Sequence, residues 1–292
     1  MTLKINNSTS GSSAPVVMAI INVTPDSFWK GSRRTTDDDI LRAVETAVEE
    51  GAAILDIGGY SSRPGAADVS PDEESQRVAR GMRIARERCP QMAVSIDTFR
   101  AEVVRRIVEE FGAVVVNDIS AGALDGLMIP TVAELGLPYI AMHMRATPAT
   151  MQRHAEYEDI TGEVRDHFTT KIAELRAAGI REIIIDPGFG FAKTTRQNYE
   201  LLGGMDALSA LGCPLLVGVS RKSMIYKVLE TSPEHALAGT SALHWEALRK
   251  GASILRAHDV REAVQVARMF SYYKDTVSGT PSATDCLSVA KK

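Results

Sequence analysis

The chain has few of the features that would staple it, fix it to a polyanion or seat it in a bilayer. Its three cysteines, Cys89, Cys213 and Cys286, are scattered, odd in number and in no CxxC spacing. That excludes a disulfide framework and a structural zinc, and it points to a reducing compartment. Positive charge is not in excess: the formal net charge is −4, which argues against a general nucleic-acid or acidic-membrane binder. An anionic ligand must therefore be drawn by a local cluster of cations. No apolar run approaches the length of a membrane span. The first 14 residues are polar and rich in Ser, Asn and Gly, without the apolar core of a signal peptide. A cytoplasmic protein is expected. Also missing is a Gly-rich phosphate turn after the first apolar run, where the chain reads NVTPDSF with no GxGxxG.

What the chain does contain is one construction, repeated. In residues 183–191, IIIDPGFGF, β-branched apolar residues run into Asp186, and Pro187 and Gly188 stop the strand. A continuous apolar run bounded by turn residues fits a strand buried on both faces, and so a parallel α/β fold. The same unit recurs at residues 16–23, 54–57, 93–96, 114–116, 139–142, 215–219 and 254–255, each followed by a helical pattern. Several of these helices close on a glycine, such as Gly51, Gly112, Gly136 and Gly179. Helical stretches are predicted over 40–50, 72–88, 101–111, 160–178, 196–211, 223–250 and 260–273, with a shorter one ending before Gly136. Eight strand–helix units with short connections predict a single-domain (β/α)8 barrel; an open doubly wound sheet is the alternative. The barrel is expected over 15–274, between a loose arm at 1–14 and a polar tail at 275–292.

In a barrel the C-terminal ends of all strands face one mouth. Those ends carry Asn22, Gly59, Asp97, Asn117, His143, Asp186, Lys222, and Arg256 with His258. Single polar residues at such ends are commonly caps, but here they divide by chemistry. Asp97, Asn117 and Asp186 supply acceptors and one amide, suited to a flat heterocycle with several N–H donors. Arg63, Lys222, Arg256 and His258 supply positive charge for phosphate or carboxylate.

From first strand to last the chain resembles the dihydropteroate synthase family. The resemblance rests on INVTPDSF at 21–28, DIGGYSSRPG at 56–65, SIDT at 95–98, NDISAG at 117–122, MHM at 142–144, DPGFGF at 186–191, VSRKS at 219–223 and RAHDV at 256–260. It implies a (β/α)8 barrel that joins 6-hydroxymethyl-7,8-dihydropterin diphosphate to p-aminobenzoate, with Mg2+ and release of pyrophosphate, in folate biosynthesis, and that is a target of sulfonamides. By the same resemblance Asp97, Asn117 and Asp186 meet the pterin edge. Lys222 contacts the pterin and borders the p-aminobenzoate site. Asn22 ligates Mg2+, and Arg63, Arg256 and His258 face the diphosphate. Phe28, Ser62, Pro64, Phe191 and Ser223 belong to the p-aminobenzoate side. Asp97, Lys222 and Arg63 are the residues expected to act in the chemistry: Asp97 opposite a developing methylene cation, the cations around the departing charge. His143 is expected to be structural, and Phe189 to pack.

Tyr60 stands where many members of that family carry an acid, Ser62 where many carry threonine, and Trp29-Lys30 replaces a smaller polar pair. Altered loop behaviour or inhibitor affinity is expected there, with the chemistry intact. A homodimer through the last helices follows from the resemblance; Met269, Phe270, Tyr272 and Tyr273 offer an apolar face for it, though the same residues would equally cover the barrel. A catalytically silent pterin-binding paralogue, a methyltetrahydrofolate-binding methyltransferase module and a Schiff-base aldolase using Lys222 are the competing readings. Pyrophosphate release that depends on both substrates separates them.

Overall fold

The computed structural model describes residues 14–24, 36–61, 68–145 and 155–279. Its strands are β1 (Val16–Asn22), β2 (Ile54–Gly58), β3 (Ala93–Asp97), β4 (Val115–Asp118), β5 (Tyr139–Met142), β6 (Ile183–Asp186), β7 (Leu215–Val217) and β8 (Ala252–Ala257). They pair in chain order, all parallel, and β8 returns to β1 to close the barrel. The helices outside are α1 (Asp37–Glu49), α2 (Pro71–Arg88), α3 (Ala101–Phe111), α4 (Met128–Leu135), α5 (Ile160–Ala177), α6 (Thr195–Gly203), α7 (Asp206–Ser209), α8 (Ser223–Tyr226), α9 (Leu237–Arg249) and α10 (Val260–Ser278). The (β/α)8 expectation is met.

Successive strand residues face opposite sides of the sheet, and here the two sides bury different partners. One parity packs outward: Val17, Ala19, Leu55, Ile57, Val94, Ile96, Ile183, Ile185, Leu255 and Ala257 join the layer between barrel and helices. The other parity packs inward. Met18, Ile54, Val115, Ile140, Ile184, Leu216 and Ile254, with Ala93 against them, form an apolar plug to which every strand contributes. Two residues further along, the inward parity reaches Ile20, Asp56, Ser95, Asn117, Met142, Asp186 and Arg256, with Gly218 just past β7. Strand alternation therefore lays a polar layer on an apolar one inside a closed wall.

Local chemistry sets the helix starts. Thr36 caps α1 in a reciprocal box with Asp39, and Thr194 does the same for α6 with Gln197. Ser70 caps α2 ahead of Pro71, and Asp159 caps α5.

Four sequence expectations change. The helix predicted over 196–211 is two, broken around Gly203 and Gly204, where helix propensity is lowest. A Cβ on Gly204 would stand 2.5 Å from Thr161 Oγ1, so the glycine allows α5 to pack there. The stretch predicted as one helix over 223–250 is α8, a 3-10 turn at Pro233–His235 and α9. Finally, β7 is only three residues long, so residues 218–222 belong to the loop that carries Lys222, while α10 runs on to Ser278, past the expected start of the tail at 275.

The plug is the part of this fold most sensitive to volume. Ile184→Ala removes a buried inward side chain and is expected to cost about 2–5 kcal/mol, measured as a drop in the urea midpoint with an unchanged slope.

Candidate functional site

The polar layer inside the barrel is held together by Arg256. Its Nε donates to Asp56 Oδ2 at 2.6 Å and its Nη2 to Asp97 Oδ2 at 2.7 Å. Asp56 also accepts from Asn117 Nδ2 at 3.1 Å and from the Ser95 hydroxyl. The bond from its amide nitrogen to Asp56 orients the Asn117 side chain, with its carbonyl oxygen as an acceptor and the second N–H as a donor. Burial alone would lower the pKa of Arg256, but Asp56 and Asp97 outweigh it and the net shift is upward. Asp97 is pushed up to about 7, chiefly by burial, with Arg256 opposing and Asp56 adding to it.

Asp186 ends β6 and is buried. Its Oδ1 accepts from the Gly188 backbone N–H at 2.8 Å, the cap that its position before Pro187-Gly188 suggests. Burial raises its pKa, while the charge of Lys222 acts to lower it. Lys222, at the start of α8, donates from Nζ to the Phe189 carbonyl at 2.5 Å and stands 4.9 Å from the centre of the Phe191 ring. Burial brings its pKa down to about 8 against the pull of Asp186. Gly218 keeps Lys222 and Arg256 side by side: a Cβ there would stand 3.8 Å from both Lys222 Nζ and Arg256 Cβ.

Asn22 meets the same layer. A Cβ on Gly58 would lie 3.6 Å from Asn22 Oδ1 and 3.8 Å from Asp97 Oδ2, so the bare glycine leaves these two oxygens facing across it. His258 is placed by Ser220, whose Oγ accepts from the His258 N–H at 3.2 Å and lies 3.3 Å from its Nδ1. The same two loops are tied again by Arg221, which bonds both oxygens of Asp259 at 2.8 and 2.9 Å and the carbonyls of Pro233 and Glu234 at 2.7 Å each. Ser223 opens α8 beside Lys222.

Asp97, Asn117, Asp186, Lys222 and Arg256 thus come together at one mouth, with Asn22 and Phe191 beside them; Ser223 follows Lys222 at the start of α8, and His258 follows β8 against Ser220. Phe28, Ser62, Arg63 and Pro64, and with them Trp29 and Lys30, lie outside the described residues. Both described ends of the loop bearing 62–64 are anchored by Arg100. Its Nη1 donates to the Val69 carbonyl and to Glu74 Oε2, each at 2.6 Å. Its guanidinium also covers the Tyr60 ring at 5.2 Å, and Tyr60 meets Phe99 edge-on at 5.1 Å. Tyr60, the departure from the usual acid, is therefore an aromatic partner for Arg100.

Two contributors were missed by reading only the last residue of each strand. Asp56 lies two positions before Gly58, on the same inward parity, and the alternation would have found it. Lys193 is a buried ammonium after β6, and no spacing in the sequence marks it. For Arg256, the expected diphosphate partner is joined here by two carboxylates inside the barrel.

Comparison with known proteins points to one family. The pterin binding enzyme family model matches residues 18–258. A dihydropteroate synthase of Escherichia coli (strain K12) is 41% identical over 259 residues, covering 88% of this chain and 91% of the relative. The structure of the Yersinia pestis dihydropteroate synthase with a sulfonamide drug superposes with a TM-score of 0.85 at 36% identity, over 90% of this chain and 95% of that one. The Xanthomonas albilineans dihydropteroate synthase with 4-aminobenzoic acid gives 0.79 at 37%, over 92% and 94%. The chain belongs to the dihydropteroate synthase family of pterin binding enzymes.

These ionisations predict a narrow pH window. Asp97 gains its charge as pH rises through about 7, and Lys222 loses its charge as pH rises through about 8. A reaction needing both charges gives a bell-shaped kcat/KM in that interval. Asp97→Asn should remove the acid limb; a wild-type limb at an ordinary carboxylate pKa of about 4 would contradict the assignment.

Proposed function

We propose that the mouth binds a dihydropterin edge on Asp97, Asn117 and Asp186, keeps the attached diphosphate toward Asn22, Arg63, Arg256 and His258, and takes p-aminobenzoate beside Phe28, Ser62, Pro64, Phe191, Lys222 and Ser223. As a member of its family the chain is an enzyme, a transferase of folate biosynthesis and a sulfonamide target. It condenses 6-hydroxymethyl-7,8-dihydropterin diphosphate with p-aminobenzoate to give 7,8-dihydropteroate and pyrophosphate. The observation that carries the residue assignment is the inward acceptor set on β3, β4 and β6, beside a lysine and an arginine in a closed wall. A pterin edge presents a row of N–H donors, and a buried acceptor row rejects a ligand that leaves it unpaired.

In the reaction the bond between the pterin methylene carbon and the diphosphate oxygen breaks, with its electrons leaving on pyrophosphate. The arylamine nitrogen of p-aminobenzoate forms the new bond to that carbon and then loses a proton to solvent. The amine is neutral at pH 7, so the site needs no strong base. Its work is electrostatic. Asp97, short of solvation, faces the carbon as it becomes positive, while Arg63, Arg256 and His258 hold the departing negative charge. For Arg256 this means meeting phosphate oxygens while keeping its place beside Asp97, since it is the charge that holds the Asp97 pKa down against burial.

Mg2+ fits this site only as a shared ion. Among the described residues no group of three His, Cys, Asp or Glu side chains could hold a metal. The Asn22 amide oxygen is a hard donor at the mouth, and Mg2+ commonly completes its shell with water and substrate phosphates. When bound, it would supply positive charge to the leaving diphosphate. A homodimer through α9 and α10 is supported by the exposure of Met269, Tyr272, Tyr273 and Val277 and by the Trp245 ring against Phe270 and Tyr273. A cytoplasmic location is the reading consistent with the scattered cysteines; among the described residues no helix is long and apolar enough to cross a membrane.

The test is pyrophosphate release from purified protein, which must depend on both substrates. Asp186→Asn puts an amide donor against the pterin donors. It is expected to weaken pterin affinity about tenfold or more, on the order of 2–3 kcal/mol, at an unchanged melting temperature. Calorimetry giving wild-type pterin affinity in that variant would remove Asp186 from the site.

A further inference from the structure

The turn at 188–191 is gripped by two lysines from opposite ends. Lys222 reaches the Phe189 carbonyl. Lys193, buried at 8% exposure, donates from Nζ to the Gly188 carbonyl at 2.9 Å and the Phe191 carbonyl at 3.1 Å. The same ammonium lies 3.1 Å from His143 Nδ1 and 3.5 Å from the His143 carbonyl. A buried ammonium is costly unless its donors are filled, and here they are filled by one turn and one strand end. Burial and the neighbouring Lys193 charge push the His143 pKa down to about 2, so its neutral ring offers Nδ1 as an acceptor.

The rest of the turn is equally determined. Gly188 has φ +69, and a Cβ on it would stand 2.0 Å from the His143 carbonyl oxygen, so the turn lies directly on the end of β5. The Gly190 N–H donates to Asn198 Oδ1 at 2.7 Å, and Asn198 Nδ2 returns to the Thr194 carbonyl at 2.7 Å. Gly190 also admits the Lys222 stem: a Cβ on it would meet Lys222 Cδ at 3.2 Å. The position of the Phe191 ring and of the Lys222 ammonium is thus inherited from the turn, and Lys193 fixes the turn at both of its ends.

We propose that Lys193 is a positioning residue for the p-aminobenzoate site, setting the place of Phe191 and Lys222 through the 188–191 turn without touching substrate. The inference rests on the assignment of Phe191 and Lys222 to that site. A displacement of such groups by a fraction of an ångström lowers productive binding, whereas the pterin acceptors on β3 and β4 are held by the separate Arg256 network, and of the pterin set only Asp186, which accepts from the Gly188 N–H, touches the turn.

Lys193→Met keeps length and removes charge and donors. Steady-state kinetics at saturating co-substrate should show the p-aminobenzoate KM raised about tenfold or more, with the pterin diphosphate KM raised by a clearly smaller factor and kcat changed less than the p-aminobenzoate KM. Asn198→Ala loosens the same turn without disturbing a buried charge and should raise the same KM several-fold. A purely structural Lys193 would instead lower the melting temperature and active fraction while leaving both KM values in place. That outcome in folded Lys193→Met overturns the proposal; should Lys193→Met not fold, an unchanged p-aminobenzoate KM in Asn198→Ala does so. Phe191→Ala and Lys222→Met serve as references. Unchanged p-aminobenzoate KM values there would overturn the site assignment itself, whereas raised values there beside unaffected Lys193→Met and Asn198→Ala would overturn only the role of Lys193.

Discussion

Everything at the mouth depends on one guanidinium shared between two carboxylates. Asp56 is fully buried inside the barrel, and Asp97 stands above it on the next strand. Two such charges in a place with little water repel each other and lack solvation. Arg256, bonded to both, is the positive charge that opposes the rise of the Asp97 pKa. Breaking a buried pair by removing one partner typically costs about 3–5 kcal/mol, so the network is conditionally stable: it persists while Arg256 stays, or while another positive charge replaces it. A reaction that builds positive charge on a carbon beside Asp97 supplies such a replacement.

The site is also built from parts of unequal firmness. Acceptors on β3, β4 and β6 are fixed by the sheet ladder. The residues after β6, β7 and β8 are fixed by side chains reaching between loops: Arg221 to Asp259, Ser220 to His258, Lys193 to the turn below Phe191. Arg221 holds its place at φ +54, a conformation a non-glycine residue seldom takes, and its hydrogen bonds to Asp259, Pro233, Glu234 and Thr240 offset that cost. The geometry assigned to the first substrate is therefore a property of the barrel, and that assigned to the second is a property of cross-linked loops.

How much of this was legible in the sequence follows from the same distinction. The barrel was readable because apolar runs, turn residues and amphipathic helices repeat in order, and Asp97, Asn117, Asp186 and Arg256 were readable as strand ends. Asp56 was hidden because a residue inside a strand reads as part of the apolar run unless its parity is followed. Lys193 was hidden for a different reason: its burial depends on the shape of a turn and on His143, far away in the chain. The divided helix at 195–209 was marked by Gly203-Gly204, yet a helical pattern on both sides masked the break. Arg256 was correctly placed at the mouth, but its carboxylate partners are set by strands at the other end of the chain, which no local pattern encodes.

The closure of β8 onto β1 has a consequence for synthesis. β1 pairs with β8 through Val16–Ile254 and Ala19–Ala257, and α10 packs on β1 as well as on α9. The first strand made on the ribosome thus acquires its second neighbour only when nearly the whole chain has emerged. Until then one edge of β1, carrying unpaired backbone groups and apolar side chains, is open to pairing with other chains. The contact that completes the wall around the polar layer is among the longest in sequence, and such contacts form slowly because the loop they close must be ordered first. A nascent chain of this protein therefore holds its future interior exposed until β8 has been made, and chaperone dependence would be greatest just before that strand appears.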